Sequence, residues 1–354
     1  MHQHRLAAIT DRCPPPMFAL VMATGIVGIA TGHAGLREVA LALQLLATAA
    51  LAFCWAVLAT RVAMQPRALL ADFADHARAP GHFTAVAGTA VVGSGAMAFP
   101  GTLSFSIAML SIATTAWLVL TYAIFGALVI ARDKPPLAQC LHGGWLLAVV
   151  AIQSLCVLAT LLAPDLDPAA RAHLELFALC AWLVGIGLYA CLATLLLYRA
   201  VFLPFAPGDL TPGWWITMGA MAISTLAGAG LVGAAGSVPL LADMLPALRA
   251  GSLLCWAIGT WWIPLLLVLH VWRHVVRGMP LHYDFGQWSA VFPLGMYSVA
   301  SGTLGSALQL GFLMKVATAF AWIALTAWSA TAIGWLRRLV ATQGAVRTTA
   351  EGGR

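Results

Sequence analysis

The sequence predicts an all-α integral membrane protein with ten transmembrane helices. Three observations carry the prediction: too little charge to cover a surface in water, ten runs long enough to cross a bilayer, and an alternation of small and bulky residues between runs. Hydrophobic residues make up 62% of the 354, charged residues 8%, and mean hydropathy is +0.92. A soluble domain carries roughly 25% charged residues. This chain is built for lipid.

A helix needs about 20 apolar residues to cross the hydrocarbon core. Such runs fall near 17–34, 38–63, 83–99, 105–131, 141–163, 174–202, 213–235, 250–276, 287–306 and 312–339. The first is not read as a cleaved signal, because nine more follow it. Residues 1–15 are expected to be a cytoplasmic N-terminal segment, 16–340 the ten-helix transmembrane domain, and 341–354 a disordered cytoplasmic tail. Between the second and third runs, Leu69–Asp75 mixes apolar and acidic residues and reads as a helix lying at the interface.

Orientation follows from the basic residues. With the N-terminus placed inside, fourteen of the 18 Lys and Arg fall on the inner side, and only Arg37, Arg171, Arg249 and Lys315 fall outside. That asymmetry places both termini in the cytoplasm of a cell-membrane protein. The net charge of +6 is spread through short loops, so it serves topology and not nucleic-acid binding. The seven cysteines show no C-x-x-C spacing and mostly lie in apolar runs, as small buried hydrophobes do.

The runs also alternate in character. The odd runs hold 16 glycines together and the even runs 6. Small residues allow close helix approach, while bulky aliphatics suit lipid. Five helical hairpins, odd helices inside and even helices outside a central pore, give this pattern. A solid bundle with glycines at tight contacts gives it too.

The chemistry available is sparse. All twelve acidic residues lie in loops or at span ends, and no Lys or Arg falls mid-span. Ionisable groups inside a membrane usually mark proton relays and cation paths; their absence argues against both. The odd runs offer small hydroxyl and amide groups instead. Candidate path-lining positions are Thr24 and Gly28, Gly88 and Gly95, Gln153, Ser224 and Gly228, and Gly295. Such donors without a cation attract an anion weakly enough to release it. Ser and Thr in membrane helices also commonly bond their own i−4 carbonyl.

The ninth run holds Trp288-Ser-Ala-Val-Phe292-Pro293-Leu-Gly295. Pro293 removes a backbone donor and strains against the Ser289 carbonyl, so a kink is expected there. Broken backbone at membrane depth is tolerated beside protein or a wet cavity. With Phe292 at the bend, the stretch reads as a pore element.

Histidines supply a different class. His33, His142, His173 and His270 fall in or near spans, which admits a histidine-ligated haem or quinone oxidoreductase subunit. By the topology above, His33 and His173 lie near the outer side, and His142, His270 and His274 near the inner side. No ATP-binding or catalytic-triad pattern is present, and no cofactor is called for.

Three stretches resemble the tellurite-resistance/dicarboxylate transporter family, which includes the plant slow anion channels. They are Trp288-x-x-x-Phe292-Pro293-Leu-Gly295-Met-Tyr297, Met17 to Ile26, and Met218 to Gly228. The resemblance runs from about Pro14 to Arg338. It implies passage of anions such as chloride, nitrate, sulfite or malate, a non-enzymatic role, and a homotrimer in the lipid bilayer. It also implies that Phe292 projects into the pore and blocks it.

Overall fold

In a computed structural model of the chain, residues 14–351 are described apart from 237 and 282, with side chains described up to residue 340. The N-terminal segment lies almost wholly outside the described residues. Ten helices of 14 residues or more follow one another: α1 Ala19–His33, α2 Arg37–Met64, α3 Phe83–Ala96, α4 Leu103–Ile130, α5 Leu147–Leu162, α6 Pro168–Phe202, α7 Ile216–Ala234, α8 Leu245–Val271, α9 Trp288–Leu308 and α10 Phe312–Glu351. The last helix therefore runs through most of the segment expected to be a disordered tail. The expected interfacial helix forms as Pro66–Ala74.

Eight of these segments are long and apolar enough to span a membrane by themselves. The other two are α3 and α9. Helix α3 is only 14 residues, and α9 carries four serines, three glycines and a proline. Both are buried along most of their length, so neighbouring helices, and not lipid, meet their surfaces.

The alternation seen in the glycines is an alternation in burial. In the spans built on α1, α5 and α7, 78–89% of the apolar window is buried; in α2, α4, α6, α8 and α10 the share is 17–39%. The inner helices contact one another in a closed ring, α1 to α3, α3 to α5, α5 to α7, α7 to α9 and α9 back to α1. Each even helix packs on its own hairpin partner and on a neighbouring inner helix. The helices follow one another as hairpins whose odd members make the ring, and several of their glycines also sit at tight helix contacts.

Each inner helix is entered through a 3₁₀ turn: Pro15–Phe18, Ala79–His82, Gly143–Leu146, Pro212–Trp215 and Phe285–Gln287. Successive turns touch, forming a collar at one end of the ring. The collar has a sequence signature that composition alone hides. A Pro or Gly at 16, 81, 144, 213 and 286 is followed two residues later by Phe18, Phe83, Leu146, Trp215 and Trp288. Four of those five side chains are fully or almost fully buried. Glycines let the turns approach: a methyl group on Gly81 would meet Pro16 at 2.9 Å, and one on Gly143, next to the signature's Gly144, would strike the Gly213 carbonyl.

Helix α9 stays helical through Pro293, so the expected break does not open. The proline is the sixth residue of the helix, and its ring lies against Gly219 of α7, where a Cβ would be only 2.7 Å from Pro293 Cγ. The missing side chain on α7 makes room for the ring.

Candidate functional site: an axial cavity above Phe292

At the end of the ring away from the collar, a cavity of about 310 Å³ lies on the axis. All five inner helices or their ends line it, through Gly28 and Gly32, Ser94 and Gly95, Val157 and Thr160, Leu226 and Gly230, and Val299 and Thr303. Gln44 and His33 complete its polar surface. No Asp, Glu, Lys or Arg is among the described residues lining it.

The hydroxyls are already engaged. Ser94, Thr160 and Thr303 donate to Ala90, Val157 and Val299 of their own helices at 2.9, 2.9 and 3.0 Å. Their oxygens thus face the cavity as acceptors, and a hydroxyl must rotate away from its helix to meet an anion. Gln44 donates from Nε2 to the Val92 carbonyl at 2.8 Å, across the α2–α3 seam. The cavity is weakly polar and uncharged.

Contacts around α9 fix which face looks inward. Pro293 meets α7, and Gly295 meets Ile26 and Val27 of α1. Tyr297 packs against Phe320 in a tilted pair with centroids 4.5 Å apart, Ser298 donates to the Ala317 carbonyl at 2.7 Å, and Ser301 accepts from Trp256 Nε1 at 3.0 Å. At 100° per residue, the sector left for the axis holds Phe292, Met296, Val299 and Thr303. The last two line the cavity. Phe292 lies seven residues before Val299, about 10 Å deeper along the helix, and is 1% exposed.

The positions expected to line a path divide into two groups. Gly28 and Gly95 do line the cavity. Thr24 accepts from Trp328 Nε1 of α10 at 3.0 Å, and Gly88 abuts the Phe18 carbonyl and Val21. Gln153 donates to the Trp182 carbonyl of α6 at 3.1 Å. Ser224 donates to Ala220 at 2.7 Å, while Gly228 faces the Trp182 indole so closely that a methyl group there would lie 3.0 Å from the ring. Gly295 is at the α1 seam. Five of these six sit at helix–helix contacts, and the Ser224 hydroxyl is spent within its own helix. Gln44, Ser94 and Thr303 were missed; Gln44 lies on an even helix, where the glycine pattern directs no attention.

The histidines are tied up singly. His142 Nδ1 accepts from Gly144 N–H at 3.1 Å, which leaves Nε2–H to donate to the Ala77 carbonyl, also at 3.1 Å. His270 Nε2 accepts from Trp215 Nε1 at 3.2 Å, and its Nδ1–H donates to the Leu266 carbonyl at 2.8 Å. Both nitrogens of each ring are spent, and among the described residues no cluster of His, Cys, Asp or Glu is placed to hold a metal. Burial lowers the pKa of His142, the Ala77 hydrogen bond and Asp75 raising it and Arg199 lowering it further. Burial also pushes His82, in the collar, down to about 4, against the attraction of Asp72.

A family model described as voltage-dependent anion channel matches residues 12–336. An uncharacterized membrane protein of Mycobacterium tuberculosis is 41% identical over 157 residues, 44% of this chain and 79% of that protein. An uncharacterized transporter of Methanocaldococcus jannaschii is 21% identical over 196 residues, 55% of this chain and 56% of its own length.

Proposed function

From the premise that this chain belongs to the voltage-dependent anion channel family, we propose that it passes small anions along the axis of its five-hairpin ring and is closed by Phe292. One observation carries the reading: a cavity walled by all five inner helices, without a carboxylate, that lies on the same face of α9 as Phe292. A cation path would place acidic side chains there. In this reading α3 and α9 cross the membrane with the other eight, because their places in the ring are equivalent. The proposed path-lining groups are Gly28, Gly95, Ser94, Thr160 and Thr303, with Pro293 holding Phe292 in place. A homotrimer, implied by resemblance, belongs to the same proposal.

Transport is expected to be passive. Apart from the His33 imidazole, no ionisable side chain lines the cavity among the described residues, and burial lowers the pKa of both His142 and His82, which keeps them neutral at pH 7. Flux in proteoliposomes against chloride, nitrate, sulfite and malate is expected to dissipate each permeant gradient and to ignore an imposed pH gradient between pH 7 and 8. Cation flux, or uphill accumulation driven by pH, would overturn the proposal. An oxidoreductase reading has no support from the family, and both ring nitrogens of His142 and His270 are occupied.

The same proposal places both termini in the cytoplasm of the cell membrane and the loop between α5 and α6 outside. Asp167 caps α6, accepting from Ala169 and Ala170 N–H at 3.1 Å, so the neighbouring exposed Asp165 is the better probe position. On a cysteine-free background, Asp165→Cys is expected to react with an impermeant thiol reagent in intact cells. Labelling only after lysis would reverse the orientation.

A further inference from the structure

A second and larger cavity, about 660 Å³, lies outside the ring in the groove between α2 and α4. Its volume is within the range of ligand sites, roughly 300–1,000 Å³. Trp55 and Leu58 of α2, Leu69 and Phe73 of the interfacial helix, and Ile112 and Leu120 of α4 form apolar walls. From Ser111 to Leu120 the α4 wall runs roughly 13 Å. The Trp55 wall is held in place, its Nε1 donating to Thr89 at 3.0 Å and its ring edge-on to Phe18 at 5.5 Å. The rim residues Val62, Ile112 and Val119 are 50%, 43% and 60% exposed, so the cavity opens sideways toward lipid.

One end is not apolar. Arg61 and His82 line it, 7% and 5% exposed. Asp72 accepts from Arg61 Nη2 at 2.6 Å and from Arg78 Nε at 2.7 Å. Two guanidiniums on one carboxylate leave a net positive charge, since burial keeps His82 neutral. Yet Arg61 Nε is buried without a hydrogen-bond partner, while His82 Nε2 is turned toward Asp72 Oδ2 at 3.8 Å. Native structures rarely leave such groups unmet, because an unpaired buried polar atom loses its water for nothing.

We propose that this groove holds an acyl chain of one anionic phospholipid, with the phosphate at Arg61 and the chain along the α2–α4 walls. Charge and shape agree on the occupant. The positive, unsatisfied end lies beside the amphipathic helix Pro66–Ala74, at headgroup depth, and the apolar length extends toward the bilayer centre. The lateral opening admits a chain from the bilayer without passage through the ring. A bound lipid would brace the first two hairpins, which meet there through the interfacial helix.

The test is native mass spectrometry of the full chain, purified in neutral detergent and supplied with phosphatidylglycerol, phosphatidylcholine of matched chains, or oleate. The chain is expected to retain one phosphatidylglycerol, preferred over phosphatidylcholine by about tenfold, the scale of one charge-assisted hydrogen bond. Ala116→Trp fills the groove without touching the ion pairs and is expected to abolish retention. Arg61→Gln is expected to remove the preference for the anionic head. If one variant does not fold, the other decides. Equal retention of both phospholipids, preferential retention of oleate, or undiminished binding in the folded Ala116→Trp variant would overturn the proposal.

Discussion

Phe292→Ala is expected to raise anion flux per folded molecule by at least about tenfold, which requires only about 1.4 kcal/mol off the barrier. The ring is 1% exposed, on the face of α9 that carries Val299 and Thr303 into the axial cavity. At an apolar constriction the barrier is the cost of stripping water from the ion, and a shorter side chain leaves water in place. Phe292→Leu, which keeps most of the volume, is expected to stay closed. The comparison with packing is built in. A core Phe→Ala change costs about 3–5 kcal/mol, so lost yield with unchanged flux per molecule would reduce Phe292 to a packing residue. Flux is therefore measured against the amount of folded protein recovered.

Gly143→Ala is expected to be the most damaging small substitution in the collar. A Cβ there would overlap the Gly213 carbonyl and lie 2.7 Å from the Trp214 Cα. Both are backbone atoms of the neighbouring 3₁₀ turn, so no rotamer change relieves the overlap. Overpacking costs typically about 1–3 kcal/mol even where side chains can yield; here two turns must separate. Thermal unfolding in detergent is expected to show a clear loss of stability, with recovery of folded protein reduced. Gly126→Ala is the matched control, since nothing lies within 4 Å of its added methyl; it is expected to be neutral or mildly stabilising through helix propensity. Equal behaviour of the two variants would mean the collar is loose.

Some of this was decided by sequence. The low charge, the ten apolar runs and the asymmetry of basic residues are one-dimensional quantities, and each bears directly on how a chain meets a bilayer. The boundaries of α2, α4 and α9 fall within about two residues of the runs read for them, because hydropathy changes sharply at span ends. The stretch around Phe292 and Pro293 lies within residues 12–336, which the family model matches.

What each small residue faces is not local. Thr24, Gln153, Ser224 and Gly228 have the chemistry of a path, yet their partners are Trp328, Gly185, Trp182 and Ser252 on outer helices. A glycine that admits a neighbouring helix and one that leaves space for an ion are the same residue in a sequence. Only the ring geometry tells them apart, since it decides which third of each inner helix meets the axis. The alternation of glycines determined that odd helices would be buried. The closure of α9 onto α1 decided that they surround an axial cavity, because that contact joins residues some 270 positions apart, and no local pattern can specify it.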